Sequence, residues 1–159
     1  MRKNVLDEQH LRLPLSWGFI GRVRATVAEA LRAQPAEVRD AAVMVASELA
    51  ENVIKYGEAL EGEDCGYVSL VPSESSIVIR TVNGVSSPAR AAAVMDRIAA
   101  IQASDDVGAL YASRMQQMLL NPSDVESQVG LLRIAYEGNF RLSCSYEARV
   151  LVITAERKL

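Results

Sequence analysis

Residues 35–57 read PAEVRDAAVMVASELAENVIKYG, and this stretch decides the fold prediction. Pro35 suits the first turn of a helix, and Glu37 and Asp40 complement the positive end of its dipole. Gly57 can end it. The spacing therefore predicts a helix over 35–57, with one apolar arc that we expect to lie on a sheet. That arc comprises Val38, Ala42, Val45, Ala46, Leu49, Ala50 and Val53.

A polar stripe lies opposite the apolar arc. Glu48, Asn52 and Lys55 fall within about 60° of one another, because steps of four and three residues return to the same helix face. Such a set suits a magnesium–nucleotide site: the amide oxygen binds the metal, the carboxylate orients water or a hydroxyl, and the lysine neutralises phosphate. A stripe of this kind is also typical of the solvated side of an ordinary amphipathic helix. The residues alone leave both interpretations open.

The rest of the chain alternates between two kinds of apolar spacing. Period-two runs predict strands, and helical spacing predicts further helices. Hairpin-linked strands with helices between them predict an α+β two-layer sandwich, in which helices cover one face of an antiparallel or mixed sheet. The predicted strands lie at 9–13, 66–71, 75–82, 139–146 and 149–156. The other predicted helices lie at 15–32, 88–103, 106–120 and 130–138, with a loop at 121–130.

Composition narrows the class of protein. The 159 residues suit one domain, and with 50% hydrophobic but only 5% aromatic residues the core should be aliphatic. A net charge of −3 with scattered arginines gives no basic face for nucleic acid. The sequence shows neither a signal peptide nor an apolar run of about 18 residues, so we expect a cytoplasmic protein that does not bind membranes. Cys65 and Cys144 are expected to be free thiols, and His10 an ordinary strand residue.

The run DAAVMVASELAENVIKYG at 40–57 resembles the N-box helix of the GHKL, or Bergerat-fold, ATPases, whose pattern is E-L-x-x-N followed by a basic–aromatic pair. Among these it is most similar to the bacterial anti-sigma-factor serine/threonine kinases, and the order of predicted elements follows that family along nearly all of the chain. The resemblance implies a histidine kinase-like ATPase fold that uses ATP and Mg²⁺. It also implies that Glu48 is the catalytic base or water-orienting group, Asn52 the Mg²⁺ ligand and Lys55 a phosphate contact.

The first glycine motif of that family, D-x-G-x-G, corresponds here to residues 82–86, VNGVS. Gly84 is retained, but Val82 stands where the family has the Asp that binds the adenine amino group. Leaving that amino group unpaired costs about 1–3 kcal/mol, so we expect weak nucleotide binding. Asn83 could offer its side-chain oxygen to the base, but in an unbroken strand it should point away from the side of Val82.

The second glycine motif, G-x-G-L-x-x-I, is approximated by QVGLLRI at 128–134. Gly130 and Leu131 are retained, and Gly130 is expected just ahead of a helix whose free amides could meet a phosphate. An ordinary turn before a helix is an equally good interpretation. Between the two motifs, where the family usually has a mobile lid, residues 87–120 are predicted to form two helices.

Two functions follow from the resemblance. The first is a bacterial signalling regulator that acts through protein partner switching, with weak or degenerate ATP and Mg²⁺ binding. The alternative is an active serine/threonine kinase that phosphorylates a STAS-domain antagonist protein. The implied partners are that antagonist, a sigma factor or a response regulator, and family members often form homodimers. Under either hypothesis Glu48, Asn52 and Lys55 should line one cavity, with Gly84 and Gly130 at its rim.

Overall fold

The computed structural model describes residues 8–159, apart from the side chains at 123–128. In this part of the chain, five strands form one sheet in the order β1-β2-β3-β5-β4, and every neighbouring pair is antiparallel. The strands are β1 (Gln9–Pro14), β2 (Cys65–Pro72), β3 (Ser76–Gly84), β4 (Arg141–Glu147) and β5 (Val150–Lys158). The α-helices are α1 (Ile20–Ala30), α2 (Ala36–Tyr56), α3 (Pro88–Ala103), α4 (Val107–Leu120) and α5 (Pro122–Tyr136).

The sheet has one buried and one open face. Along β3 the side chains of Ile77, Ile79, Thr81 and Asn83 are buried, while those between them are partly or fully exposed. Such alternation places every second residue against the helices. The inward side chains of the sheet and the buried helix residues form one hydrophobic core. The predicted α+β two-layer sandwich with an antiparallel sheet is therefore confirmed.

Helix α2 lies at the centre of this core. Its buried residues are Ala42, Val45, Ala46, Ser47, Leu49, Ala50 and Val53. Six of the seven residues of the predicted apolar arc are thus buried, and Val38 is partly buried. The helix packs on α1, β2, β3 and α5, so its opposite polar side is the one that can reach a site at the edge of the core.

The loop predicted at 121–130 is wrong. Helix α5 begins at Pro122, and only Asn121 separates it from α4. Proline is tolerated in the first helical turn because the amide hydrogen it lacks has no partner there in any helix. Gly130 therefore lies inside α5 rather than ahead of a helix. The helix predicted at 15–32 is also shorter, since a 3₁₀ turn at Trp17–Phe19 precedes α1.

Helices α3 and α5 pack on β4 at the edge of the sheet. Helix α4 packs against α5, and none of its own side chains is fully buried. Within residues 8–159, no helix combines the length and apolarity that crossing a membrane requires.

Candidate functional site

A cavity of about 180 Å³ lies between α2, α3, α5 and the ends of β3 and β5. Its apolar wall comes from Leu49, Val53, Val85, Val94, Leu131, Leu151 and Ile153. Two asparagines, Asn52 and Asn83, and two arginines, Arg90 and Arg97, also line it. No carboxylate is among its described lining residues, so the fixed charges of the wall are positive.

The three residues of the polar stripe of α2 do not all line this cavity. Asn52 lines the cavity, but Glu48 and Lys55 do not. The expectation that all three share one cavity is therefore wrong. Three- and four-residue steps place side chains on one helix face, yet each long side chain then turns toward its own partner on a neighbouring element.

The carboxylate of Glu48 is held by Arg133 on α5. Arg133 Nη1 donates a hydrogen bond of 2.8 Å to Glu48 Oε1, and the Glu48 side chain is only 18% exposed. Arg133 Nε donates to Glu137 Oε2 at 2.8 Å, and Tyr111 OH donates to Glu137 Oε1 at 2.7 Å. Hydrogen bonds to Glu137 and Glu48 raise the pKa of Arg133, so the guanidinium stays charged. Glu48 thus joins α2 to α5.

Lys55 points toward the start of α1. Its Nζ lies 5.7 Å from the centre of the Trp17 ring, a cation–π distance. Lys55 is exposed, and Trp17 is 53% exposed. In this arrangement the ammonium lies against an aromatic face rather than at the cavity.

Gly84 is required by backbone packing. Its N–H donates to the carbonyl of Glu58, and its own carbonyl accepts from the N–H of Glu58, both at 2.8 Å. A Cβ at this position would lie 2.5 Å from the carbonyl oxygen of Ala59. Ser86 N–H donates to Glu58 Oε2 at 2.6 Å, which lowers the pKa of Glu58. These contacts occupy both backbone groups of Gly84.

Gly130 also serves packing. Because it lies within α5, the expected helix start with free amides is absent at this residue. A Cβ on Gly130 would lie 2.8 Å from Glu48 Oε2 and 3.8 Å from the amide group of Asn52. The glycine therefore lets α5 approach α2 closely, and Leu131, the next residue, lines the cavity.

Asn83, one of the candidate site residues, lines the cavity. It is 3% exposed on the helix side of β3, and β3 pairs with β2 and β5 in a regular register that places Val82 on the open face. Asn83 and Val82 point to opposite faces of β3, as expected, but the cavity lies on the side of Asn83, whereas the resemblance placed it on the side of Val82. Asn83 Nδ2 donates to the Gly84 carbonyl at 2.9 Å, whereas its Oδ1 accepts no hydrogen bond from the described residues.

Arg90 and Arg97 are cavity residues that the sequence reasoning missed. They lie seven residues apart on α3, which is two helical turns and about 10 Å along the axis. Arg90 Nη2 donates to the carbonyl of Tyr56 at 3.2 Å. Within the described part of the chain, Arg97 makes no hydrogen bond or ion pair. The sequence signal for these two residues was their seven-residue spacing within a helix that begins after a serine cap and a proline.

These residues do not fit a Mg²⁺ site. Magnesium is usually held by one or two carboxylates together with substrate phosphates, whereas this wall offers amide oxygens beside two guanidinium groups. In addition, no three His, Cys, Asp or Glu side chains of the described residues cluster in a way that could hold a metal. The sequence matches no protein-family model and no curated protein at a significant level.

Proposed function

We propose that this chain is a regulatory binding domain of the histidine kinase-like ATPase fold that acts through protein partners and does not transfer phosphate. The main observation behind this proposal is the ion pair between Glu48 and Arg133, in which Oε1 and Nη1 lie 2.8 Å apart. This hydrogen bond directs the Glu48 carboxylate toward α5, and Glu48 is not among the residues that line the cavity. The position of Lys55 against Trp17 supports the same proposal.

The proposed partners are those that the family resemblance implies. They are a STAS-domain antagonist protein, a sigma factor or a response regulator. A monomer or homodimer of this chain would bind them in the bacterial cytoplasm. Such a switch needs a fold that presents a surface and responds to a bound molecule, and it needs no catalytic base. ATP binding is proposed to be weak, since Lys55 does not line the cavity, and independent of Mg²⁺, since no carboxylate is among the described residues that line it beside Asn52.

An active serine/threonine kinase is the second candidate, and one observation favours it. Asn83 Oδ1 has no hydrogen-bond donor among the described residues and lines the same cavity as Asn52. An acceptor in this position could bind an exocyclic amino group, which is the role of the missing Asp. The two candidates therefore differ in whether ATP is bound selectively and with a metal.

Calorimetric titration with ATP and GTP, each with and without Mg²⁺, tests the proposal. We expect weak binding, affinities for the two nucleotides within about tenfold, which is about 1.4 kcal/mol, and no effect of Mg²⁺. Transfer of radiolabelled phosphate from ATP to a STAS-domain protein should be undetectable. Glu48→Gln should change the free energy of unfolding while leaving nucleotide affinity unchanged.

The kinase candidate makes the opposite set of predictions. Tight, ATP-selective and Mg²⁺-dependent binding that is lost in Asn83→Ala and Asn52→Ala would refute the proposed function. Asn121→Ala is a matched control, since this exposed asparagine lies between α4 and α5 and outside the cavity wall. Phosphate transfer that disappears in Glu48→Gln would refute the proposal independently.

A further inference from the structure

The size of the cavity limits what it can hold. Its volume is about 180 Å³, below the range of about 300–1,000 Å³ that is usual for sites holding drug-sized ligands. An apolar cavity of about 150 Å³ in another protein holds benzene. The body of a ligand enclosed here should therefore be close to one six-membered ring.

The charge of the cavity wall favours an anion. Arg90 is already engaged, because it donates to the Tyr56 carbonyl and lies near the carboxylate of Glu58. Arg97 is half-buried and has no anionic partner in the described part of the chain. A guanidinium remains charged at any ordinary pH and binds a carboxylate through two parallel hydrogen bonds.

The rest of the wall suits a flat apolar body. Val94 comes from α3, the helix that carries Arg97, Leu131 comes from α5, and Leu151 and Ile153 come from β5. Asn83, whose Nδ2 already donates to the Gly84 carbonyl, adds a hydrogen-bond acceptor beside these apolar side chains. An aromatic ring can lie against such a wall while its acid group reaches the guanidinium.

We infer that the cavity binds a monocyclic aromatic acid, with its ring against the apolar wall and its carboxylate on Arg97, without a metal ion. This inference rests on the proposed function, because a cavity used for catalysis with magnesium and ATP would not be free for such a ligand. The bound acid would act as the signal to which the partner-binding domain responds.

Benzoate and its neutral counterpart benzamide are the probes, titrated against the full chain in the absence of Mg²⁺. Ligand-observed NMR gives the affinities, and amide shifts of isotope-labelled protein give the location. We expect benzoate to bind at least about tenfold more tightly than benzamide, since a charge-assisted hydrogen bond favours only the anion. Shifts should concentrate around Asn83, Val94 and Leu131.

Two variants separate the contribution of the Arg97 charge to binding from that of the cavity volume. Arg97→Gln should lower benzoate affinity about tenfold, to the level of benzamide, and leave benzamide affinity unchanged. Arg141→Gln, at an exposed arginine of β4, is the matched control and should change neither. Val94→Phe should fill the cavity and weaken both probes, with circular dichroism used to verify that each variant is folded.

The inference would be overturned by no benzoate binding, by equal affinities for benzoate and benzamide, or by unchanged benzoate affinity in folded Arg97→Gln. Shifts centred away from the cavity would also overturn it. Failure of the proposed function is measured separately, by tight Mg²⁺-dependent ATP binding and phosphate transfer. The two failures can therefore be distinguished.

Discussion

At the scale of single residues, Thr81 and Asn83 lie two positions apart on the helix side of β3, each a polar group within an apolar core. Asn83 donates one hydrogen bond and reaches the cavity with its remaining acceptor. Thr81 is fully buried, and its Oγ1 has no hydrogen-bond partner in the described structure. An unsatisfied buried hydroxyl costs about 1–3 kcal/mol, so Thr81 should weaken the fold.

Thr81→Val should raise the free energy of unfolding by up to about 2 kcal/mol, because valine has nearly the same shape and no polar atom to satisfy. Urea unfolding followed by circular dichroism measures the change. Thr154→Val is the control, since Thr154 lies on the open face and accepts a hydrogen bond from Arg80 at 3.3 Å. It should give no gain, and a lower stability for Thr81→Val would show that the hydroxyl has a partner after all.

Gly84→Ala should lower the free energy of unfolding by about 1–3 kcal/mol, because the new Cβ would lie 2.5 Å from a backbone oxygen that cannot move aside cheaply. Gly21→Ala is the opposite control. Gly21 lies in α1, and apart from its chain neighbours and the helix's own nearby backbone no described heavy atom lies within 4 Å of its Cβ position, so alanine there should add up to about 1 kcal/mol through helix propensity. Thermal unfolding measures the stability of both variants. Equal stabilities would contradict the packing role assigned to Gly84.

At the scale of elements, one polar network joins three helices. Tyr111 on α4 donates to Glu137, just after α5, and Arg133 on α5 binds both Glu137 and Glu48 of α2. The rings of Tyr111 and Tyr136 lie 5.3 Å apart and support the same contact. No side chain of α4 is fully buried, and this network adds to the partly buried contacts of Val107 and Tyr111 that hold α4 on the core.

The network predicts a pH dependence. Hydrogen bonds from Tyr111 and then Arg133 lower the pKa of Glu137. A lowered pKa means that the stabilisation is present above the unfolded-state value of about 4.3 and is lost as pH falls through the folded-state value. Because Glu137 is 40% exposed, solvent screening should limit its contribution to about 1 kcal/mol or less.

Glu137→Gln should therefore be less stable than the unmodified chain near about pH 7, and this difference should shrink near about pH 3. Urea unfolding at the two pH values measures it. Glu61→Gln, at an exposed loop position, should show no such pH-dependent difference. A destabilisation by Glu137→Gln that is the same at both pH values would contradict the assigned ionic role.

At the scale of the whole molecule, burial is uneven. Helix α2 contributes seven buried residues to the core, and α4 contributes none. The sheet is covered by helices on one side and open on the other, so β3 and α2 meet at the middle of the protein. Local opening needs little free energy where few apolar contacts are broken.

Amide hydrogen exchange should reflect this distribution. Amides of α4 should exchange at least about tenfold faster than those in the middle of α2, because α4 can detach without opening the core. Adding urea should accelerate exchange in α2 strongly and in α4 only slightly, since global unfolding exposes more surface. Equal exchange rates and equal urea dependence in the two helices would mean that α4 unfolds only with the core.

The sequence by itself determined the local periodicities. Three- and four-residue spacing defined α2 and its buried arc, and alternation defined the strands to within about two residues, because both patterns follow from backbone geometry. It could not decide the boundary at Pro122, since proline is as compatible with a turn as with a first helical turn. From these periodicities the two-layer α+β class followed without knowledge of any long-range contact.

Tertiary structure alone decided which polar groups meet. Glu48 and Arg133 are 85 residues apart in sequence, and nothing local to either predicts their ion pair. Asn83 faces the cavity because the pairing of β3 with β2 and β5 fixes which side of the strand is buried. Arg97 reaches the cavity because of where α3 packs. A helical wheel gives the direction in which a side chain leaves its own helix. The partner of that side chain depends on the placement of every other element.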